Sequence, residues 1–235
     1  MKLVSLKYLL LLLVATSPLL ACAFEYDRAE DIYLIFYTTK KGHTGHVGIA
    51  VDNYKIVGTD LQTITVYDTL KNHTLSYFDL WGPAKIDWNQ HNENLASRYY
   101  TLPRSSAEEK LTVKYFLNKG LPHSYDYPCD ALVRIKTDPA TDYRLKQIAT
   151  KIQEEKNYFN TRQYNCTDYI ILCINRLLGT DLEAKEYIPF SWSSTPNKLY
   201  QEIISQLDVE VIKNAGPEVD DSFFKERVIN TILTN

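Results

Sequence analysis

A cysteine occurs where a helix is expected to begin. Asn165 is a favourable N-cap residue, and the residues after Cys166 predict an amphipathic helix because its apolar positions recur with helical spacing: Tyr169, Ile170, Cys173, Ile174 and Leu177. In the first turn of a helix, free N–H groups and the helix dipole favour an anion. A thiolate there could attack a carbonyl carbon, and the same N–H groups could hold the oxyanion. The alternative is a core thiol, the commonest environment of cysteine.

Histidine is the usual partner of a catalytic thiolate. Of the five histidines, His46 differs in its setting because it opens the apolar segment HVGIAV, which is predicted to be a strand. A polar ring there faces either a pocket or a strand edge. His43 and His46 form an H-x-x-H pattern, but positions three apart on a strand point to opposite faces, so no shared metal is expected. No cofactor motif occurs, and we expect no cofactor.

A carboxylate opposite His46 could orient the imidazole ring. A turn signal follows the histidine strand, and if Val51 pairs with Lys55 across that turn, His46 lies opposite Asp60. A register slip of two residues would bring Gln62 to this position instead. The hairpin therefore predicts Asp60 as the third catalytic residue, with Gln62 as the alternative.

The elements that would position these residues are strands early in the chain and helices later. Strands are expected at 32–37, 46–51, 55–67, 98–102 and 131–135, with one more short strand inside a loop at 79–88 and a strand or loop at 208–212. Helices are expected from a capping box at Ser105 to Gly120, from Asp138 to about 156, from 166 to 178, from Thr195 to about 204, and after Asp221. Without internal repeats or linkers, this order predicts one α+β domain over residues 24–235.

Composition excludes several classes of protein. The chain has 235 residues, 45% hydrophobic and 23% charged, as expected for a folded protein of one ordinary domain. Its net charge is −3 and becomes more negative when Lys2 and Lys7 are removed with the N-terminus, which disfavours nucleic-acid binding. No glycine-rich phosphate loop of standard spacing occurs, which disfavours NTPases and dinucleotide enzymes.

The first 23 residues are typical of an export signal. They begin with positive charges, continue with an apolar run too short to span a bilayer, and end in small residues. Cleavage after Ala23 satisfies the small-x-small rule. Residues 19–22, LLAC, also resemble a bacterial lipobox, which would be cut before Cys22 and lipidated there. We therefore expect a periplasmic or outer-membrane lipoprotein, with membrane contact only through Cys22, or alternatively a secreted protein.

Two further cysteines leave an alternative open. Cys129 and Cys173 could form a disulfide in an oxidising compartment. Otherwise they are buried free thiols.

Three motifs together resemble a known family. They are His46 in GHVGIAV, Tyr125 and Asp126 at the end of GLPHSYDY, and Cys166 in YNCTDYI. In this order they resemble the permuted branch of the NlpC/P60 superfamily, in particular the YiiX-like proteins, with the lecithin:retinol acyltransferase-like proteins as cousins. The resemblance implies a circularly permuted, papain-like α+β core. In it, an antiparallel barrel-like sheet packs on the helix that carries the nucleophilic cysteine.

The resemblance also implies roles for individual residues. Cys166 would be the nucleophile and His46 the general base, oriented by a polar residue on the next strand, at Asp60 or Gln62. Tyr125 and Asp126 would shape the substrate pocket. The implied function is an exported cysteine hydrolase that acts on an amide, with a peptidoglycan stem peptide as the obvious substrate. Two alternatives are a lipid acyl hydrolase or acyltransferase, and a non-catalytic binding lipoprotein.

Overall fold

The computed structural model describes residues 31–38, 45–52, 55–56, 66–67, 75–83, 93–102, 111–120, 128–188 and 191–215. The strands are β1 (Ile32–Tyr37), β2 (His46–Asp52), β3 (Lys55–Ile56), β4 (Val66–Tyr67), β5 (Leu75–Trp81), β6 (Leu95–Ala96), β7 (Arg98–Leu102), β8 (Ala131–Ile135), β9 (Tyr158–Phe159), β10 (Lys185–Ile188), β11 (Ser191–Ser194) and β12 (Glu210–Lys213). The helices are α1 (Val113–Asn118), α2 (Pro139–Glu155), α3 (Cys166–Leu178) and α4 (Pro196–Gln206).

The largest sheet is antiparallel throughout. It has six strands in the order β12-β8-β1-β2-β5-β7. Three smaller sheets pair β3 with β4, β6 with β9, and β10 with β11. Helix α3 contacts β2 and β5 in the middle of the large sheet. The predicted α+β class, with an antiparallel sheet packed on the cysteine helix, is therefore confirmed.

The predicted hairpin after the histidine strand is wrong. Strand β2 pairs with β1 on one side and with β5 on the other, whereas β3 pairs with β4. The physical reason is burial, because two long apolar neighbours bury all seven residues of β2, and a two-residue strand could not cover them. Asp60 and Gln62 lie outside the described residues.

Most other elements follow the sequence. The expected strands at 32–37, 98–102 and 131–135 are present, and helices α2, α3 and α4 begin after their predicted caps: Asp138, Asn165 and Thr195. The expected loop at 79–88 is wrong at its start, because β5 runs from Leu75 to Trp81. Helix α1 begins after Thr112, while the capping box predicted at Ser105 lies outside the described residues, as does the helix after Asp221.

The two faces of the large sheet pack against different neighbours. One face joins helices α2, α3 and α4 in the main core, and its strand residues include Leu34, Phe36, Val47, Ile49 and Val51. The other face meets Phe116 of α1, and its strand residues include Tyr33, Ile35, Tyr37, Ala50 and Tyr77. Alternation along β2 places His46 on the same side as Ala50, and as the first residue of the strand His46 lies at the end of the sheet, where Cys166 in the first turn of α3 approaches it.

Of the three cysteines that the structure describes, the two other than Cys166 are free and buried. Cys129 and Cys173 are buried and form no disulfide, so the second of the two alternatives is correct. Burial raises the pKa of the Cys129 thiol to about 11 and that of the Cys173 thiol to about 12.

The export signal and Cys22 lie outside the described residues. Among the residues that the structure describes, no helix is both long and apolar enough to cross a membrane. Export and lipidation therefore stay predictions.

Candidate active site

The start of helix α3 is a complete capping box around Cys166. The Asn165 side-chain oxygen accepts hydrogen bonds from the Thr167 N–H at 2.8 Å and the Asp168 N–H at 3.4 Å. In return, Asp168 accepts from the Asn165 N–H at 3.0 Å. Within the described part of the chain, the Cys166 N–H makes no hydrogen bond. A half-buried thiol therefore lies beside an amide that remains available to an oxyanion.

Hydrogen bonds attach this helix start to strand β11. The Asn165 amide group donates to the Thr161 carbonyl and to the Ser194 carbonyl, each at 3.0 Å. The Ser194 hydroxyl donates to Asp168 at 2.5 Å. Burial raises the pKa of Asp168, and the Ser194 hydrogen bond opposes that rise. The cysteine is thus held by a helix whose first turn is attached to a neighbouring strand.

His46 is almost completely buried at the first position of β2, with 2% of its surface exposed. Its Nε2 lies 3.0 Å from Oδ2 of Asp79, a residue of β5. The Trp81 ring stacks on the imidazole with a centroid distance of 4.3 Å and an interplanar angle of 27°. The hydrogen bond to Asp79 therefore fixes the direction of the imidazole, and the stacked Trp81 ring restricts its rotation.

Asp79 is the carboxylate that orients His46, and sequence reasoning missed it. Besides His46, its Oδ2 accepts hydrogen bonds from the Tyr77 hydroxyl and from Trp81 Nε1, each at 2.9 Å. The pairing of β2 with β5 explains why His46 and Asp79 are close. When the register of Ile49 and Phe78 is continued towards the start of β2, Gly48 lies opposite Asp79 and His46 lies opposite Trp81. The available signal was the alternation in LSYFDLW, which places a lone carboxylate among aromatics on one face of a strand.

The pKa of His46 is raised from 6.5 to about 9, and its causes identify the neighbours of the ring. Burial lowers the pKa and is the largest single effect. The electrostatic effect of Cys166, the hydrogen bond that the ring donates to Asp79 and the charge of Asp79 together outweigh it. Nε2 faces Asp79, and the electrostatic effect of Cys166 on the ring places the thiol close to the imidazole. The structure thus brings together the predicted pair, Cys166 and His46, and adds Asp79.

Gly48 makes room for this arrangement. A Cβ at this position would overlap the hydroxyl and ring of Tyr77, the residue that donates to Asp79. The glycine in HVGIAV is therefore required by a close side-chain approach from the neighbouring strand.

We expect Gly48→Ala to destabilise the fold by about 1–3 kcal/mol, because the overlap forces a buried ring to move in a packed core. Urea unfolding would measure the loss. Adding Tyr77→Phe should not restore stability, because the ring atoms overlap as well as the hydroxyl, whereas Tyr77→Ala should offset part of the steric cost. Full stability in the single variant Gly48→Ala would contradict the close approach.

The remaining predicted site residues lie outside the described residues. These are Asp60, Tyr125 and Asp126, together with the rival Gln62 and the neighbouring His43. Among the residues that the structure describes, no group of three or more His, Cys, Asp or Glu side chains could hold a metal ion.

No protein-family model, no curated protein and no solved structure matches this chain. Function is therefore inferred from the geometry around Cys166, His46 and Asp79 and from the sequence motifs.

Proposed function

We propose that this protein is an exported cysteine hydrolase that cleaves an amide bond by means of Cys166, His46 and Asp79. One observation carries the proposal: a buried imidazole lies between a carboxylate and the thiol at a helix N-terminus, and both neighbours raise its pKa. A structural histidine in an apolar core would be neutral, because burial alone lowers its pKa. A charged imidazole beside a thiolate is the arrangement that nucleophilic thiol catalysis requires.

In the first half of the reaction, the Cys166 thiolate attacks the carbonyl carbon and forms the C–S bond. The oxyanion that develops accepts a hydrogen bond from the Cys166 N–H at the start of α3. The C–N bond then breaks as the His46 imidazolium donates a proton to the leaving amine. The products of this step are a free amine and a thioester on Cys166.

In the second half, water attacks the thioester while neutral His46 accepts a proton from it. The C–S bond breaks, a carboxylic acid leaves, and the thiolate–imidazolium pair is restored. Asp79 stabilises the imidazolium in both halves and fixes its orientation, as a carboxylate does in other nucleophile–histidine triads. Trp81 and Tyr77 hold Asp79 in place.

We further infer that the fold belongs to the permuted NlpC/P60 branch and that the substrate is a peptide of the cell envelope. The order of a histidine strand before a cysteine helix supports the permuted arrangement. The export signal at 1–23 supports a substrate outside the cytoplasm.

The test is the alkylation rate of Cys166 by iodoacetamide at pH 6, with peptide mapping to separate it from Cys129 and Cys173. We expect fast alkylation in the wild type, and a rate at least about tenfold lower in His46→Ala, because the imidazolium that stabilises the thiolate is lost. His46→Asn should show the same loss while retaining a polar side chain in the buried site.

The matched control is His43→Ala, which removes a histidine three residues earlier and should leave the rate unchanged. Slow alkylation of the wild type at pH 6, with no dependence on His46, would refute the proposed hydrolase and leave a binding protein as the better explanation.

A further inference from the structure

The hairpin β10–β11 presents two exposed aromatic rings, and the end of β11 is hydrogen-bonded to the first turn of α3. Tyr187 and Trp192 are direct cross-strand partners, and their rings lie 5.8 Å apart at an angle of 69°. Of their surfaces, 63% and 62% are exposed, the largest values among the described large hydrophobic residues. Core packing does not explain rings this exposed, because they bury too little apolar area. Exposed Trp and Tyr are typical of recognition surfaces.

The base of this hairpin is attached to the helix that carries the nucleophile. Ser194 lies two residues after Trp192, accepts a hydrogen bond from Asn165 through its carbonyl, and donates one to Asp168 through its hydroxyl. The aromatic pair is therefore held at a fixed position relative to Cys166. Two residues of strand lead from Trp192 to Ser194, and hydrogen bonds lead from Ser194 to the first turn of α3. Together these steps place Trp192 roughly 10–15 Å from Cys166. An extended peptide spans that distance with roughly three or four residues.

We propose that Tyr187 and Trp192 form a substrate subsite that binds an apolar side chain of a peptide, a few residues from the bond that Cys166 attacks. This inference rests on the proposed function and adds the substrate class. An open pair of rings at an edge-to-face angle stacks well on one apolar side chain while the peptide backbone stays in water. A lipid acyl chain needs enclosure along its length, which rings this exposed do not give. Lys185, exposed on the same face of β10 as Tyr187, adds a positive charge for an acidic group.

The experiment compares how fast peptidyl chloromethyl ketones and iodoacetamide alkylate Cys166. The ketones are alanine peptides of five residues with a single phenylalanine placed two, three, four or five residues from the reactive carbon, and one ketone without phenylalanine. The thiolate displaces chloride and forms a thioether, so the measurement needs no turnover. We expect phenylalanine at one of the distal positions to raise the second-order rate at least about tenfold over the all-alanine probe.

Trp192→Ala and Tyr187→Ala should each reduce this advantage to about one- to threefold, while iodoacetamide alkylation stays at the wild-type rate. The matched control is Ile204→Ala, which removes an exposed apolar side chain from α4 and should keep the full advantage. No advantage at any position, or an advantage that survives Trp192→Ala, would overturn the subsite.

The iodoacetamide arm distinguishes the two failures. Slow, His46-independent reaction with iodoacetamide would refute the hydrolase and the subsite with it. Fast reaction with iodoacetamide but no phenylalanine advantage would refute the subsite alone. Two further results would also overturn the subsite, each with unchanged probe rates in Trp192→Ala. If the variant no longer sediments with phosphatidylglycerol vesicles, the rings bind a membrane. If its oligomeric state changes on gel filtration, the rings contact a second copy of the chain.

Discussion

Replacing Cys166 by alanine is expected to abolish acylation of the protein by p-nitrophenyl acetate, an activated ester that needs little specific binding. The wild type should release a burst of p-nitrophenolate equal to the protein concentration and carry an acetyl group on Cys166. In Cys166→Ala the burst should disappear and the rate should fall by about 10³-fold or more, because the thiol that forms the covalent intermediate in the proposed mechanism is removed. Stopped-flow absorbance and mass spectrometry of the acetylated peptide measure both effects.

The same variant should be as stable as the wild type within about 0.5–1 kcal/mol. Cys166 is half-buried, and its sulfur lies 4.0 Å from the Thr167 hydroxyl, so little packing is lost.

Cys129→Ala is the matched control for the loss of a thiol. In the wild type the Cys129 thiol is buried and has a pKa of about 11, so the burst should be the same in Cys129→Ala as in the wild type. A burst that survives in Cys166→Ala, or a large fall in its melting temperature, would show that Cys166 is structural.

Replacing Asp79 by asparagine is expected to lower the pKa of His46 towards its ordinary value. The charge of Asp79 and its hydrogen bond with the ring both raise the pKa of His46. The asparagine amide carries no charge, so the lowering of the pKa by burial is opposed less strongly. Hydrolysis should fall by roughly 10–100-fold near neutral pH, because the ring loses the carboxylate that orients it as well as part of its imidazolium form. Titration of the His46 ring by NMR would measure the pKa directly, with a wild-type value near 9.

The same shift predicts how stability depends on pH. The folded-state pKa of His46 is above its unfolded value of 6.5, so its contribution to stability is fully present below pH 6.5 and is lost as the pH rises through about 9. In Asp79→Asn this loss should be smaller. Urea unfolding at pH 6 and at pH 10 would compare the two proteins.

Asp79→Ala should be more severe than Asp79→Asn, at about 3–5 kcal/mol of stability. It removes the acceptor that Asp79 provides to two buried donors, Tyr77 and His46, and to the half-buried Trp81. The control is Asp142→Asn, which changes another completely buried aspartate, at the start of α2. It should affect stability without moving the His46 titration. An unchanged His46 pKa in Asp79→Asn would remove Asp79 from the proposed triad.

Several parts of the fold could be predicted from the sequence because short-range physics decides them. Asn165 and Asp138 begin helices since their side chains accept hydrogen bonds from the first free N–H groups, a requirement that reaches only three residues along the chain. The position of Cys166 in a first turn and the strand of His46 follow from the same local signals. So does the complete burial of β1 and β2, whose apolar runs are typical of strands covered on both faces.

The third member of the site could not be predicted in this way. The choice of Asp60 assumed that consecutive strands form a hairpin, but the neighbours of β2 are β1 and β5. Strand pairing depends on which partner buries the most apolar area, and this is a property of the whole sheet. Asp79 itself stood in a segment interpreted as loop, although alternation in LSYFDLW indicated a strand.

By itself, then, the sequence determined that Cys166 begins a helix and that His46 begins a strand, because caps and periodicity act over a few residues. Only the tertiary structure decided that His46 meets Cys166 on one side and Asp79 on the other. Contacts between residues 33 and 120 positions apart depend on sheet order and helix packing, which no local pattern encodes. Gly48 illustrates the same division, since the sequence shows the residue but only the approach of Tyr77 explains it.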